Sequence, residues 1–145
     1  MSIFEKKWLT PLAETLNRLG SKHVLVVHSE DGLDELSIAN ETHVAELKDG
    51  HVSTYTIHPN DFDIQLGDLE KIKAENASES LALITDAFAG NKGPHRDIIA
   101  LNAGAAIYVS GIEDSLDNGI LKACELLSDG GAQAKLDAYI LASNS

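Results

Sequence analysis

The most informative segment of this sequence is Val24-Leu25-Val26-Val27-His28-Ser29-Glu30-Asp31-Gly32-Leu33-Asp34-Glu35. Its unbroken run of β-branched and aliphatic residues predicts a short strand that is buried on both faces. Such a strand is typical of a sheet with parallel neighbours, yet the rest of the sequence offers few other strands. The class is therefore α/β or α+β, richer in helix than in strand, and we expect a mixed, mostly parallel sheet that is completed by polypeptide outside this chain.

The residues that precede this strand predict a helix. Trp8, Leu12, Leu16 and Leu19 recur at spacings of four and three, which puts them on one apolar stripe. Because Pro11 is tolerated only in a first helical turn, the helix is expected to begin between residues 8 and 10. The glycine at position 20 is expected to end it.

The residues that follow the strand predict a hairpin and then helices. Thr42–Lys48 and His51–Ile57 are extended runs joined by Asp49-Gly50, a strong hairpin signal. Helices are expected over 77–89, over 95–110, from a cap at Asp114 or Ser115 to a stop before Gly130, and over 134–141. The first of these helices would place Leu81, Ile84 and Phe88 on one face, and Gly104 would allow close packing of the second.

Composition narrows the class of protein. The 145 residues fit one domain, 1–145, and 43% of them are hydrophobic, which is enough for a core at this length. A net charge of −12 repels phosphate backbones and disfavours nucleic-acid binding. The chain shows no membrane-length apolar run and no secretory leader, and its one cysteine, Cys124, suits a reducing compartment. We expect a cytoplasmic protein without a membrane partner.

An acidic loop, residues 30–35, follows the predicted strand. Glu30, Asp31, Asp34 and Glu35 place four carboxylates within six residues. Ligands bind where the strands of open α/β sheets end, and Mg²⁺ is often held by one or two carboxylates together with substrate phosphates. The same pattern is also typical of a solvated surface loop, so the spacing alone leaves both interpretations open.

Three better-known sites do not fit this loop. An EF-hand counted from Asp31 would need glycine and glutamate where the chain has Leu36 and Thr42. A P-loop would need Gly-Lys-Ser/Thr, which does not occur in the chain. The third is a ribose-phosphate site, in which two acids after an apolar strand are followed by a short loop that contains glycine and threonine. Here the residues after the acids are Leu36-Ser37-Ile38-Ala39-Asn40, which lack both.

Several segments, in order along the chain, resemble the anthranilate phosphoribosyltransferase family. Val26-Val27-His28 followed by Gly32-Leu33-Asp34-Glu35 is similar to the family's Val-Val-His-Gly…Gly-Leu-Asp-Glu element. Residues 101–109, Leu-Asn-Ala-Gly-Ala-Ala-Ile-Tyr-Val, are similar to its C-terminal helix. The resemblance covers essentially the whole chain and implies the C-terminal half of a nucleoside phosphorylase/phosphoribosyltransferase α/β domain, with several helices flanking the sheet and hairpin.

This resemblance implies an activity and a metal site. The family transfers a phosphoribosyl group from phosphoribosyl pyrophosphate to anthranilate in tryptophan biosynthesis. Asp34 and Glu35 are implied to be Mg²⁺ ligands, and both substrates are implied for the complete protein. No catalytic residue and no other cofactor-binding residue is implied in this chain, and Glu30 and Asp31 receive no role beyond a solvated surface.

The chain departs from the family mainly by what is missing. The Gly-Thr-Gly-Gly-Asp loop that grips pyrophosphate and the N-terminal helical domain that forms the family's homodimer have no counterpart here. We therefore expect a C-terminal fragment that carries the second Mg²⁺ site, is inactive alone and is prone to new self-association. Ser29 replaces the family's usual glycine, which is expected to stiffen or shift the acidic loop.

Other functions and residue roles stay open. The alternatives to an enzyme fragment are a non-catalytic binding module of the same superfamily and an interaction protein from a truncated gene. The six histidines show no metal-ligand spacing, and His28 is expected to form structural hydrogen bonds. Asn76 and Asn102 are expected to be buried amides that satisfy helix ends. Lys92 and Arg96 leave open a phosphate contact at a helix start.

Overall fold

The computed structural model describes residues 1–144 and shows a small sheet covered by helices on both faces. The expected α/β class is confirmed. Short 3₁₀ turns precede the first helix, at Lys6–Trp8, and follow the hairpin, at Pro59–Phe62 and Leu69–Ile72. The longer elements, in chain order, are α1 (Leu9–Arg18), β1 (His23–Ser29), β2 (Thr42–Lys48), β3 (His51–Ile57), α2 (Ala77–Phe88), α3 (Pro94–Val109), α4 (Leu116–Ser128) and α5 (Gly131–Ser143).

The sheet is antiparallel, in the order β1-β2-β3. The expectation of a mostly parallel sheet is not met within the described residues, where the one parallel pairing is an isolated bridge between Ser2 and Val27. The reason is the connection after β1: residues 30–41 form a loop without a helix, and strands joined without a crossover helix pair antiparallel. Residues 1–3 lie along the edge of β1 that β2 leaves open.

Strand β1 is nevertheless buried on both faces, as its sequence predicts. Leu25 and Val27 face the main core with helix α3, and Val26 faces the core built with α1. All three side chains are at most 6% exposed. The continuous apolar run therefore correctly indicated two-sided burial, although the neighbouring strand runs in the opposite direction.

The predicted stripe of helix α1 is met in part, because Leu12 and Leu16 pack against the core whereas Trp8 and Leu19 do not. Leu9 and Ala13 are the buried positions, whereas Trp8 is 51% and Leu19 is 77% exposed. The helix begins at Leu9 and ends at Arg18, so Trp8 lies in the preceding 3₁₀ turn and Leu19 is the C-cap. The predicted stripe relied on two residues that lie outside the regular helix.

The hairpin prediction is confirmed with its boundaries. Asp49 and Gly50 both have positive φ angles, 50° and 81°, as the tight two-residue turn requires. The four predicted helices are also present, with Ser115 rather than Asp114 as the cap of α4. In α2, however, Leu81 is 56% exposed, and the fully buried position is Ala87.

Helices α3 and α4 pack with their backbones in close contact, as the glycine at position 104 predicts. A Cβ atom on Gly104 would lie 2.5 Å from Cα of Ile120, and one on Gly119 would lie 2.3 Å from the Gly104 carbonyl oxygen. Cys124 is partly buried beside this contact. Among the described helices, none combines the length and apolar character needed to cross a lipid bilayer.

Candidate functional site

Two of the four carboxylates of the acidic loop form hydrogen bonds with protein side chains, and the other two form none within residues 1–144. Glu30 is one of the first two: its Oε1 lies 2.5 Å from Nε2 of His43 on β2. This hydrogen bond lowers the pKa of Glu30 below its usual value although desolvation opposes it, and the charges of His43 and Lys6 add to the lowering. Glu30 lies on the exposed surface, as predicted, but it also pairs with a side chain of the sheet.

Asp31 organises the loop from within. Its carboxylate accepts hydrogen bonds from the Ser29 and Ser37 hydroxyls, both at 2.5 Å, and from the Leu33 amide at 3.1 Å. Partial burial would raise the pKa of Asp31, but the three hydrogen bonds outweigh it and the pKa is lowered. Asp31 is also exposed, as predicted, but it accepts hydrogen bonds from two buried hydroxyls as well. The expected stiffening by Ser29 has a physical basis in this contact.

Asp34 and Glu35 are the free pair. Within residues 1–144, neither carboxylate forms a hydrogen bond or an ion pair, and both residues are exposed. Both line one cleft of about 260 Å³, so they face a shared volume rather than a packed interior. Asp34 also borders a second, smaller cleft with His28 and Gly32, whose φ of +79° allows the loop to turn.

The electrostatics of the free pair are unfavourable. Burial raises the pKa of Glu35, and the neighbouring Asp34 carboxylate raises it further. Two carboxylates that face the same cleft repel each other unless a cation lies between them or nearby. A divalent cation would relieve this repulsion, whereas Glu30 and Asp31 already have their own partners.

The remainder of the cleft is mostly apolar and is formed by α2, α3 and the segments that precede them. Helix α3 contributes His95, and its Nε2 lies 2.6 Å from Oδ2 of Asp86 on α2, an ion-pair distance without hydrogen-bond geometry. Sequence reasoning missed His95 because it lies 60 residues from Glu35, and no local spacing connects them. The other lining residues are Leu33, Ile72, Ala74, Ser80, Leu83, Ile84, Ile98 and Ile99.

Asn102 on α3 contacts the residue directly after Glu35. Its side-chain oxygen accepts the Leu36 amide at 2.9 Å, and its side-chain nitrogen donates to the Leu36 carbonyl at 3.0 Å. The same nitrogen donates to the Ile98 carbonyl at 3.1 Å. Asn102 therefore pairs with a distant loop rather than with a helix end, unlike Asn76, which caps α2 as predicted.

The residues whose roles the sequence left open now have defined surroundings. His28 forms the expected structural hydrogen bond, with Nδ1 2.9 Å from the Ile3 carbonyl oxygen. Arg96 is directed away from its helix start: it donates to the Cys124 carbonyl at 3.3 Å and to Ser128 at 3.1 Å, at the end of α4. Lys92 is exposed and lies in the loop before α3.

The carboxylate oxygens of Asp34 and Glu35 are ligands of the type that Mg²⁺ prefers, but two carboxylates are too few to complete its coordination. Two carboxylates offer the hard oxygen ligands that this ion prefers. No group of three or more His, Cys, Asp or Glu side chains within residues 1–144 is arranged to hold a metal ion. Such an incomplete set is typical of Mg²⁺ sites whose remaining ligands are waters and substrate phosphates.

Comparison with known proteins places this chain in a family. Residues 1–133 match the sequence model described as "Glycosyl transferase family, a/b domain". The anthranilate phosphoribosyltransferase of Ruthia magnifica subsp. Calyptogena magnifica is 54% identical over 140 residues, which cover 97% of this chain and 41% of that protein. The enzyme of the same name from Marinomonas sp. (strain MWYL1) is 55% identical over 139 residues, 94% of this chain and 40% of that protein.

Solved structures agree with the sequence comparisons. Anthranilate phosphoribosyltransferase from Thermus thermophilus superimposes with a TM-score of 0.85 at 37% identity, covering 95% of this chain and 40% of that one. The Saccharomyces cerevisiae enzyme in complex with PRPP and Mg shares the fold, with a TM-score of 0.79 at 21% identity over 92% of this chain and 39% of that one. The chain thus spans about two fifths of the length of the curated relatives it matches. It belongs to the glycosyl transferase family defined by this a/b domain.

Proposed function

We propose that this chain provides Mg²⁺-binding carboxylates of an anthranilate phosphoribosyltransferase, with Asp34 and Glu35 as the ligands. The observation that carries the proposal is the contrast within one loop. Glu30 and Asp31 are held by protein partners, whereas Asp34 and Glu35 share a cleft and, in the described residues, have no cation beside them. A loop with no ligand to bind would have no reason to keep two neighbouring carboxylates unpaired in one cleft.

The reaction is proposed from the relatives. The curated relatives are named anthranilate phosphoribosyltransferase, and the yeast enzyme was solved with PRPP and Mg. We accordingly propose phosphoribosyl pyrophosphate and anthranilate as the substrates of the complete protein, in tryptophan biosynthesis. Bound Mg²⁺ supplies charge neutralisation to the pyrophosphate as it leaves.

The residues of this chain would hold the cation and shape its surroundings. Asp34 and Glu35 would present hard oxygens to the cleft, whose other lining includes apolar residues of α2 and α3. Low local polarity strengthens the attraction between the carboxylates and a cation. The chain itself holds neither a glycine-rich pyrophosphate loop nor an assigned catalytic residue, so we propose that it is inactive alone.

Three properties of the complete protein follow as parts of this proposal. Parallel strands would lie beside the open edge of β1, where the Ser2–Val27 bridge is already parallel. The homodimer of the family would form through residues outside this chain. A cytoplasmic location is proposed because the one cysteine, Cys124, suits a reducing compartment.

Calorimetric titration with Mg²⁺ tests the metal assignment. The chain is expected to bind weakly, and the double variant D34N/E35Q is expected to give no binding heat. The control is E113Q/D114N, which removes the same charge from an adjacent acidic pair in the α3–α4 loop and is expected to bind like the parent. Equal Mg²⁺ binding by the parent and by D34N/E35Q contradicts the proposal.

A further inference from the structure

We propose that Asn102 is the positioning residue for the Asp34–Glu35 pair, holding the two carboxylates in the orientation that receives a cation. This inference rests on the proposed function, because the pair must first be a cation site. It concerns a residue on α3, 66 positions from the peptide that it contacts.

The contact is unusually complete for a side chain. Asn102 pairs with both the amide and the carbonyl of Leu36, at 2.9 and 3.0 Å, in the way that one strand residue pairs with another. Its remaining donor hydrogen goes to the Ile98 carbonyl at 3.1 Å, so the amide itself is fixed to α3. The orientation of the amide group is set by these contacts, since exchanging its oxygen and nitrogen would lose the Leu36 amide bond and the Ile98 bond.

The other side of the loop is held separately. Asp31 accepts hydrogen bonds from Ser29 and Ser37, which ties the start of the acidic loop to the residue after Leu36. Leu36 itself is 2% exposed and packs in the main core. The free pair therefore lies in a short span with both ends fixed, and Asn102 fixes the end that adjoins Glu35.

Helix α3 connects this contact to the cleft. Ile98 and Ile99 line the same cleft as the free pair, and Ile98 is also the residue whose carbonyl accepts a hydrogen bond from Asn102. The same helical turn therefore lines the cleft and sets the position of the carboxylates relative to it. Residues that orient metal ligands in this indirect way typically change metal affinity by about 10–100-fold when they are replaced.

The test uses the ¹⁵N-labelled chain with Mn²⁺ as a paramagnetic probe of the site. In N102A, we expect Mn²⁺ to broaden the amide signals of Asp34 and Glu35 only at about tenfold higher concentration than in the parent. We also expect lower backbone order parameters confined to residues 33–36 in N102A without metal. The control is S115A, which removes the cap of α4 and so destabilises the chain without contacting the loop.

The outcomes separate this inference from the proposed function. If the parent binds Mn²⁺ at Asp34 and Glu35 and N102A binds equally well, the positioning role is refuted and the metal site stands. If the parent shows no broadening there, the proposed function fails, and so does the inference that rests on it. If S115A weakens Mn²⁺ binding as much as N102A does, the effect is general destabilisation, and the positioning role is likewise overturned.

Discussion

Asp31 shows that a carboxylate beside the proposed metal site can have a structural task. It accepts hydrogen bonds from Ser29 and Ser37, both 1% exposed, and removal of its side chain would leave two buried hydroxyls without an acceptor. At neutral pH, D31A is expected to lower the free energy of unfolding by about 1–3 kcal/mol. Urea unfolding measures this, with E41A, an exposed acid in the same connection, as the control.

The cost of D31A is also expected to depend on pH. The folded-state pKa of Asp31 is lowered, so its stabilisation is present above the unfolded value of about 3.9 and is lost as the pH falls through the lower folded value. The difference between parent and D31A should therefore shrink when unfolding is measured in increasingly acidic buffer below about pH 4. A difference that stays constant down to full protonation would contradict the assignment of these hydrogen bonds to the ionised form.

Glu35 should behave in the opposite way. Its folded-state pKa is raised, so the ionised carboxylate reduces stability above that value and has no effect below the unfolded value of about 4.3. In metal-free buffer at pH 7, E35Q is expected to be more stable than the parent by roughly a few tenths of a kcal/mol, the scale of exposed like-charge pairs.

Magnesium should reverse this order. A ligand that binds only the folded state adds stability, so the parent is expected to gain with rising Mg²⁺ while E35Q gains little. Urea midpoints in EDTA and in excess Mg²⁺ give the comparison. A parent that is more stable than E35Q in EDTA would count against the repulsion between Asp34 and Glu35. An equal gain in stability for both proteins in Mg²⁺ would count against Glu35 as a ligand.

At the scale of elements, short sequence signals such as a turn predicted the local structure correctly, but the sequence did not predict how the strands pair. The hairpin is specified by Asp49-Gly50 and its flanking runs, and its boundaries were predicted correctly. Whether β2 runs parallel or antiparallel to β1 depends on the path of residues 30–41 back to the sheet. The spacing of apolar residues in the sequence does not indicate that path. The stripe of α1 was met only in part because Trp8 and Leu19 lie just beyond the helix ends, where helical spacing no longer applies.

The contact between α3 and α4 gives a test at this scale. Alanine normally stabilises a helix interior relative to glycine by about 0.5–1 kcal/mol. In G104A, however, the new methyl group would meet the Ile120 backbone at 2.5 Å, so we expect a net loss of about 1–3 kcal/mol. Thermal unfolding measures it, and A106S, which adds one atom at an exposed position of α3, should be nearly neutral.

At the scale of the whole molecule, the sequence pointed to the proposed ligands but not to the cleft that they line. Asp34 and Glu35 are adjacent in the chain, so their proximity required no tertiary information. His95 and Asn102 reach the acidic loop only through the packing of α3 against it, and neither has a local sequence signal that points there. The partners of Glu30 and Asp31 were missed for the same reason, because His43 and Ser37 are brought to them by the return of the chain.

The isolated chain should not transfer phosphoribosyl groups. We expect no loss of anthranilate fluorescence when the purified chain is mixed with phosphoribosyl pyrophosphate, anthranilate and Mg²⁺, while the full-length Marinomonas relative serves as the active control. The reason is that this chain has the proposed metal ligands but no glycine-rich loop for the pyrophosphate. Steady-state turnover by the chain alone would contradict this expectation.

The surface of the chain predicts self-association. Phe4 is 95%, Leu141 is 76% and Tyr139 is 70% exposed, and α5 has no buried residue among its described positions. Exposed apolar side chains of this kind favour contacts between copies. Sedimentation velocity over a wide concentration range should show a rising mean mass, and a monomer at every concentration would be the contrary result.

The most direct test of the central claim is anomalous diffraction from a crystal of the chain grown with Mn²⁺ and pyrophosphate. If Asp34 and Glu35 are the ligands, a manganese peak is expected in the cleft, within coordination distance of carboxylate oxygens from both residues. A peak bound instead by Glu30 and Asp31, or a pyrophosphate ordered in the cleft without manganese beside the free pair, would contradict the claim.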